Sequence, residues 1–364
     1  MSKIIIDARI INSTTGRYVE RLLHYLQKID RENRYVVLIP PEDIRSNFWR
    51  PTAKNFHLES CEIKNYSLAE QTRFLKLLNN HQADLVHFCM PQQPILYKGK
   101  TVTTFHDLTL IKTYNEDKNY LYFKSKQQVG KTVFKRAARK STQIITPTEF
   151  TKNELINFAK IDPEKITVTY ESADITKSEA KNPNFKFKNF LLYVGKHSTY
   201  KNVRRLAAAH QNLLKNHPDL HLVLANTKDK AVLQNEKFFA SKNYKNIHFF
   251  GRADNADLAW LYSNCRAYIF PSFMEGFGLP GLEAMALGAP VISSNATCLP
   301  EVYGDAALYF DPHNTDDMTE KIHQVLTNKT LRTSLIKKGK QQHAKYSWEK
   351  MAKETYEVYQ KALK

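Results

Sequence analysis

The sequence predicts an α/β protein made of two doubly wound, Rossmann-like domains. Three observations predict it. At 364 residues the chain is too long for one ordinary hydrophobic core and fits two. Short apolar runs alternate with segments of helical period in both halves, the pattern of parallel sheets covered by helices. Five of the 11 glycines (Gly276, Gly278, Gly281, Gly288, Gly304) fall within 29 residues, so the backbone there must turn tightly or admit something close.

Composition narrows the class. Hydrophobic residues make up 42% of the chain, ample for globular folding, yet no run reaches the ~18 apolar residues of a membrane-spanning helix. The opening MSKIIIDARIIN is apolar too briefly for a signal peptide, carries Asp7 and Arg9, and reads as a first strand. Cys61, Cys89, Cys265 and Cys298 lie far apart, without CxxC or metal-type spacing, which fits a reducing cytoplasm and small core hydrophobes. The net charge of +18 attracts anions, whether nucleotide, nucleic acid or anionic membrane, but lysines spread along the whole chain do not choose among them.

The first domain is expected over residues 1–176. Lys3 to Arg9 reads as a strand, followed by the turn-rich loop NSTTG and a helix from Arg17 to Ile29 with Val19, Leu22, Leu23 and Leu26 on one face. That order puts Thr14, Thr15 and Gly16 near the carboxyl edge of a sheet, where ligands bind. Strands follow at Tyr35 to Ile39, Ala83 to Cys89 and Lys100 to Phe105, the last ending at His106-Asp107. A histidine just past a parallel strand is well placed to move a proton near neutral pH. Lys118 to Lys140 reads as a basic amphipathic helix, able to lie on anionic lipid or simply to pack on the sheet with a solvated face. Gln143 to Thr146 is a strand, Thr148 caps the helix to Phe158, and Ile166 to Asp174 follows as a strand and turn. The polar stretch 177–188 is expected to be the linker.

The second domain, expected over 189–345, opens with the strand FLLYVG. Gly195, Lys196 and Lys201 stand before a helix from Val203 to Leu214, which together make an anion cradle. His221 to Ala225 and Asn246 to Phe250 are strands, the latter leading to Gly251-Arg252, a candidate nucleobase contact. Asp257 to Asn264 is a helix.

The stretch FPSFMEGFGLPGLEAMALGAPVISSN then reads as strand end, glycine-rich loop, helix and strand. Pro280 fits a first helical turn, Gly288 stops the helix, and Pro290 keeps it from continuing. A loop feeding a helix N-terminus attracts anions, and the backbone of Gly276, Phe277, Gly278 and Leu279 supplies it. Two carboxylates, Glu275 in the loop and Glu283 expected in the first helical turn, flank this tip. Bare phosphate would not suit two carboxylates, whereas a diphosphate between two polyols would, because carboxylates accept hydrogen bonds from sugar hydroxyls. Ala306 to Phe310, helices from Thr315 and Leu331, and a last helix over 346–364 complete the chain.

Glu275 and Glu283, with seven residues between them within EGFGLPGLEAMALGAPVISSN and followed by LPEVYGDAALYFDP, closely resemble the retaining GT-B glycosyltransferases of the glycogen-synthase-like, mannosyltransferase-rich superfamily (glycosyl transferase group 1, family 4). The resemblance covers nearly the whole chain. It implies two domains facing across a cleft and a C-terminal helix that returns to the first domain. It also implies transfer of a hexosyl group, of mannose or glucose type, from a nucleotide-diphosphate sugar to a glycan or lipid-linked acceptor with retention of configuration. No metal or other cofactor and no specific nucleic acid is implied; an anionic membrane surface, met through 118–140 on the cytoplasmic side, is an expected contact. By resemblance Lys196 and Lys201 hold the diphosphate, Glu275 the donor sugar, Glu283 the ribose, and His106 and Asp107 face sugar and acceptor. The family usually has arginine where Lys196 stands and two adjacent glycines where only Gly16 remains. The alternatives are an epimerase on the same fold and a non-catalytic basic binding protein on a transferase scaffold.

Overall fold

A computed structural model of the chain describes residues 1–13, 15–113, 120–176 and 180–364, and the side chains of the helix beginning at Tyr120 from Phe123 onward. The chain forms two compact units. The first comprises Met1–Lys112, Leu121–Glu171 and Ser347–Lys364, and the second Ser172–Tyr346.

The first unit is built on seven parallel strands: β1 (Lys3–Asp7), β2 (Arg34–Ile39), β3 (Phe56–Ser60), β4 (Leu85–Phe88), β5 (Thr101–Thr104), β6 (Gln143–Thr146) and β7 (Ile166–Val168). Their order is β3-β2-β1-β4-β5-β6-β7. In register, Ile5 lies beside Val36 on one neighbour and Val86 on the other. All four residues of β4, β5 and β6 are buried, as expected of a parallel sheet covered on both faces. On one face Ile5, Val36, Leu38, Val86 and Phe88 pack against Phe74 and Leu78.

On the same sheet sit the helix Gly16–Ile29 and the C-terminal helix Trp348–Leu363, which pack against each other. The last helix starts where Ser347 accepts a hydrogen bond from the Lys350 amide, at 3.3 Å. It buries Trp348, Met351, Val358 and Tyr359. A polar chain runs through this layer. His87 Nδ1 lies 2.6 Å from Tyr359 Oη, its Nε2 lies 2.9 Å from Thr104 Oγ1, and Tyr18 Oη lies 3.0 Å from the same Thr104 oxygen. Burial pushes the His87 imidazole down to about 3, so it is neutral near pH 7 and each ring nitrogen has a hydroxyl partner.

The second unit holds six parallel strands: β8 (Phe190–Val194), β9 (His221–Ala225), β10 (Ile247–Gly251), β11 (Ala267–Phe270), β12 (Val291–Ser294) and β13 (Ala307–Phe310). Their order is β10-β9-β8-β11-β12-β13. In both sheets the chain moves outward in one direction, then returns to the first strand and continues in the other. The reversal lies between β1 and β4 in the first unit and between β8 and β11 in the second. Open α/β sheets bind ligands at the carboxyl ends of the strands flanking such a reversal.

Several expectations are corrected. The compact units part after Glu171, five residues before the expected bound of 176: Ala173 and Ile175 are buried, and the Ala173 carbonyl accepts a 2.8 Å bond from His343. The described part of 177–188 is no free linker. Phe185 packs on Phe190 and Trp260, and Phe187 lies 4.0 Å from both His221 and His248, tilted to the first and stacked on the second. Within the strand and turn expected over 166–174, the strand is Ile166–Val168, and β3 and the helix Lys230–Ser241 are elements the sequence pattern did not announce. Glu283 stands in the second turn of its helix, not the first, because that helix begins at Leu279.

Candidate functional site

The loops after β8 and β11 meet at the reversal of the second sheet. Gly195 leaves β8 with φ +146°, a region that favours glycine, and donates its amide to the Ala225 carbonyl at 3.1 Å. Lys196 follows with an exposed side chain, while its carbonyl accepts a 2.6 Å bond from Tyr193 Oη. Asn202 ties the loops together. Buried and left-handed at φ +59°, it donates its amide nitrogen to the carbonyls of Pro271 (3.0 Å) and Pro312 (2.8 Å). The Phe273 amide donates to the Tyr200 carbonyl at 2.8 Å. Sequence pattern singled out Lys201 but missed Asn202; the signal available was an asparagine directly before a helix.

This frame holds Lys201 against Glu275. Nζ lies 2.6 Å from Oε1, and the two side chains are 16% and 12% exposed. The resemblance implied separate duties for them, on diphosphate and on sugar; in the structure they also neutralise one another. At this depth, deleting either partner leaves the other a poorly hydrated charge.

The helix Leu279–Ala286 begins beside this pair. Gly278 caps it at φ +96°, Pro280 lies in its first turn, and no acidic residue does, so the positive end of the helix dipole stays uncompensated from within. Tyr303 fixes the tip by donating to the Gly278 carbonyl. A Cβ on Gly278 or Gly281 would stand 2.4 or 2.2 Å from the Tyr303 hydroxyl oxygen, so both positions exclude a side chain. Phe277 is buried edge-on to Tyr346 at 5.7 Å. The Glu275 amide donates to Thr297 Oγ1 at 3.3 Å. Glu283 is buried, and its Oε2 accepts from Tyr262 Oη at 3.2 Å. Gly251 ends edge strand β10 at φ +88° with nothing within 4 Å of a would-be Cβ, and Arg252 beside it is exposed.

His197 is a buried group the sequence did not single out. Arg204 Nε donates to Asn235 Oδ1 at 2.9 Å, which orients that amide. Asn235 Nδ2 then donates to His197 Nδ1 at 3.3 Å, leaving the buried Nε2 without a hydrogen-bond partner. Burial pushes the imidazole down to about 4, against the pull of Asp229 and Glu236. The folded pKa lies below the ordinary 6.5, so the unfolded chain binds the extra proton first. Stability is complete above about pH 6.5 and falls as pH drops toward 4. His197→Asn is expected to flatten the fall in melting temperature between pH 7 and pH 5; an unchanged slope in a pH series of thermal melts would contradict this.

In the first unit the loop after β1 is held by a buried cluster. Arg9 Nη2 lies 2.7 Å from Asp7 and 2.9 Å from Glu70. Gly16 packs so closely on this loop that a Cβ would stand 1.9 Å from the Ile11 carbonyl oxygen. Its absence of side chain serves that contact. Thr15 is half-buried, and its amide donates to Ser13 Oγ at 3.3 Å; Thr14 lies outside the described residues. His106 follows β5, packed edge-on to Tyr18 at 4.7 Å. Its Nε2 donates to the Cys89 carbonyl at 3.0 Å, and its Nδ1 lies 3.2 Å from Glu171 Oε1. Glu171, buried and 65 residues away in sequence, is a positioning partner no local spacing revealed. The Asp107 carboxylate accepts the Thr109 amide at 2.7 Å and so shapes its own turn. Among the described residues no three His, Cys, Asp or Glu are grouped as metal ligands, and no helix is long and apolar enough to cross a membrane.

Comparison with known proteins divides the chain at 174–177, close to the expected bound of 176. The family described as "Glycosyl transferases group 1" matches residues 174–342, and "Glycosyltransferase Family 4" matches 15–177. The chain is 29% identical over 313 residues to O-antigen chain mannosyltransferase B of Escherichia coli, covering 82% of this chain and 79% of that protein. Among solved structures it resembles sucrose-phosphate synthase from Thermosynechococcus elongatus, with a TM-score of 0.81 at 17% identity over 99% of this chain and 98% of the other. It also resembles Anabaena HepE in complex with UDP and glucose, with a TM-score of 0.74 at 14% identity over 99% of each chain.

Proposed function

The chain belongs to the group 1 glycosyl transferases of the GT-B fold, and on that premise we propose that it moves a mannosyl group from a nucleotide-diphosphate sugar to a hydroxyl of a glycan or lipid-linked acceptor, with retention of configuration. The single observation that carries the donor assignment is the Lys201–Glu275 pair at the strand reversal, beside the Gly278-capped helix tip. As the glycosidic bond to phosphate breaks, charge develops on the leaving diphosphate. Lys201 and the amide end of the helix stabilise it from fixed positions, with the exposed Lys196 reaching its outer oxygens. Lys196 offers a point charge without the bidentate fork of arginine, so its share is smaller. Glu275, already hydrogen-bonded to Lys201, accepts from donor-sugar hydroxyls. Gly251, open to close approach, and Arg252 meet the nucleobase, and Glu283 serves the ribose.

No protein nucleophile is invoked: the acceptor hydroxyl attacks from the leaving-group side and passes its proton to the departing phosphate oxygen. The first unit, with Thr14, Thr15, Gly16, His106 and Asp107, takes the acceptor side. Mannose is preferred because the O-antigen relative carries that name, and the nucleotide diphosphate because a neighbour of the same fold holds UDP. The reaction is proposed to need no metal, and the enzyme to work at an anionic membrane surface.

The test is product analysis in chelator, with nucleotide-diphosphate mannose and glucose offered beside hydroxyl acceptors. Expected is an acceptor-dependent glycoside whose anomeric configuration, read by NMR, matches the donor's. An isomerised donor formed without acceptor would favour an epimerase, and an inverted product or an absolute need for metal would overturn the mechanism.

A further inference from the structure

A cavity of about 260 Å³ lies in the first unit between the 93–99 loop and the end of the helix Tyr120–Lys140. Its wall carries Lys98, Arg136 and Lys140 and no carboxylate; Gln93, Tyr97 and Thr101 add buried polar groups behind them. Lys140 is held in place, its Nζ donating to the Ile95 carbonyl at 2.8 Å. Leu96, at the loop's tip, is 64% exposed. Thr101 opens β5 and Lys140 ends the helix that precedes β6, so the cavity sits at the amino edge of the sheet. Gly16 and His106 follow the carboxyl ends of β1 and β5, at the opposite edge. The proposed chemistry does not use this cavity.

Three cations on exposed side chains surround one recess whose wall carries no acid, and together they give it a positive field that favours a bound anion. Arg136 and Lys140 also oppose the negative end of their helix, but that accounts neither for Lys98, which comes from the loop, nor for the recess between them. Arginine supplies a planar fork for two oxygens of a tetrahedral anion, and the two lysines supply point charges. We propose that this cavity binds a phosphate group, as a second anion site apart from the donor site. Two sources carry that chemistry, a soluble phosphate ester and the headgroup of an anionic lipid, the latter with exposed Leu96 beside it as an apolar contact.

The test compares the full-length chain with the triple variant K98Q/R136Q/K140Q and with K215Q/K337Q/K353Q, which removes the same charge from exposed sites elsewhere. Calorimetric titration with glycerol 3-phosphate probes the soluble source. Flotation with phosphatidylglycerol vesicles against phosphatidylcholine vesicles probes the lipid. The cavity variant is expected to lose at least tenfold in affinity for one probe while the charge-matched control keeps it, and the probe affected names the source. The single variant R136Q, expected to lose several-fold, serves if the triple variant does not fold. Equal losses in the cavity variant and the control would reduce the binding to net charge and overturn the site. So would a native chain that binds neither probe.

Discussion

Lys201→Ala is expected to cut the transfer rate at least a hundredfold, and Glu275→Gln to do nearly as much. A preorganised group facing charge that develops in the transition state is worth about 3–4 kcal/mol when removed, which is 10²–10³ in rate. Lys201 is held by Glu275 at 2.6 Å, in a loop tied to its neighbours by Asn202. The variants differ in stability. Lysine without its carboxylate remains an ammonium in a mostly buried place, and the carboxylate without its lysine is equally stranded. Each single change is expected to destabilise by about 1–3 kcal/mol, below the figure for a fully buried pair because both ends keep some solvent. The double change is expected to destabilise less than the sum of the singles, since it strands neither charge. Steady-state rates and thermal melts of the four proteins check this; a Lys201→Ala enzyme with near-normal turnover would remove Lys201 from the mechanism.

Gly281→Ala is expected to be the most damaging single methyl in the second unit. Its Cβ would sit 2.2 Å from the Tyr303 oxygen and 2.3 Å from the ring carbon that bears it. Tyr303 is fully buried, so the ring has nowhere to go unless the helix tip moves. Overpacking of this kind costs about 1–3 kcal/mol and occasionally more, and here the moving part is the helix tip proposed to bind the diphosphate. Loss of donor affinity should therefore exceed loss of stability. Adding Tyr303→Phe removes the nearest clashing atom and should recover part of both, even though it deletes the bond to the Gly278 carbonyl. If Gly281→Ala binds donor normally, the tip is not the diphosphate site.

The sequence showed most where local rules act alone. Gly278, Pro280 and Gly288 mark a loop, a helix start and a stop, and the helix runs from Leu279 to Ala286 as that punctuation requires. The Thr148 cap is present, its oxygen accepting the Thr151 amide at 3.1 Å. What stayed hidden depends on contacts far apart in sequence. Glu171 reaches His106 across 65 residues, and Asn202 reaches Pro312 across 110. Periodicity carries no trace of either. The polar stretch before β8 read as a linker because its lysines and asparagines outnumber its phenylalanines, yet Phe185 and Phe187 decide where it packs. Strand β3 was missed because its pattern is half exposed and its run of FHLES is only weakly apolar.

The central claim is that the Lys201–Glu275 pair and the adjoining helix tip hold a nucleotide-diphosphate sugar, with lysine on the diphosphate and glutamate on the sugar. Calorimetric titration separates the two halves of that claim. A nucleotide diphosphate without sugar should bind the native chain and Glu275→Gln alike but bind Lys201→Ala at least tenfold more weakly, whereas the complete sugar donor should be weakened by both changes. Equal binding of the bare nucleotide diphosphate by the native chain and Lys201→Ala, or no binding of any sugar donor by the native chain, would contradict it.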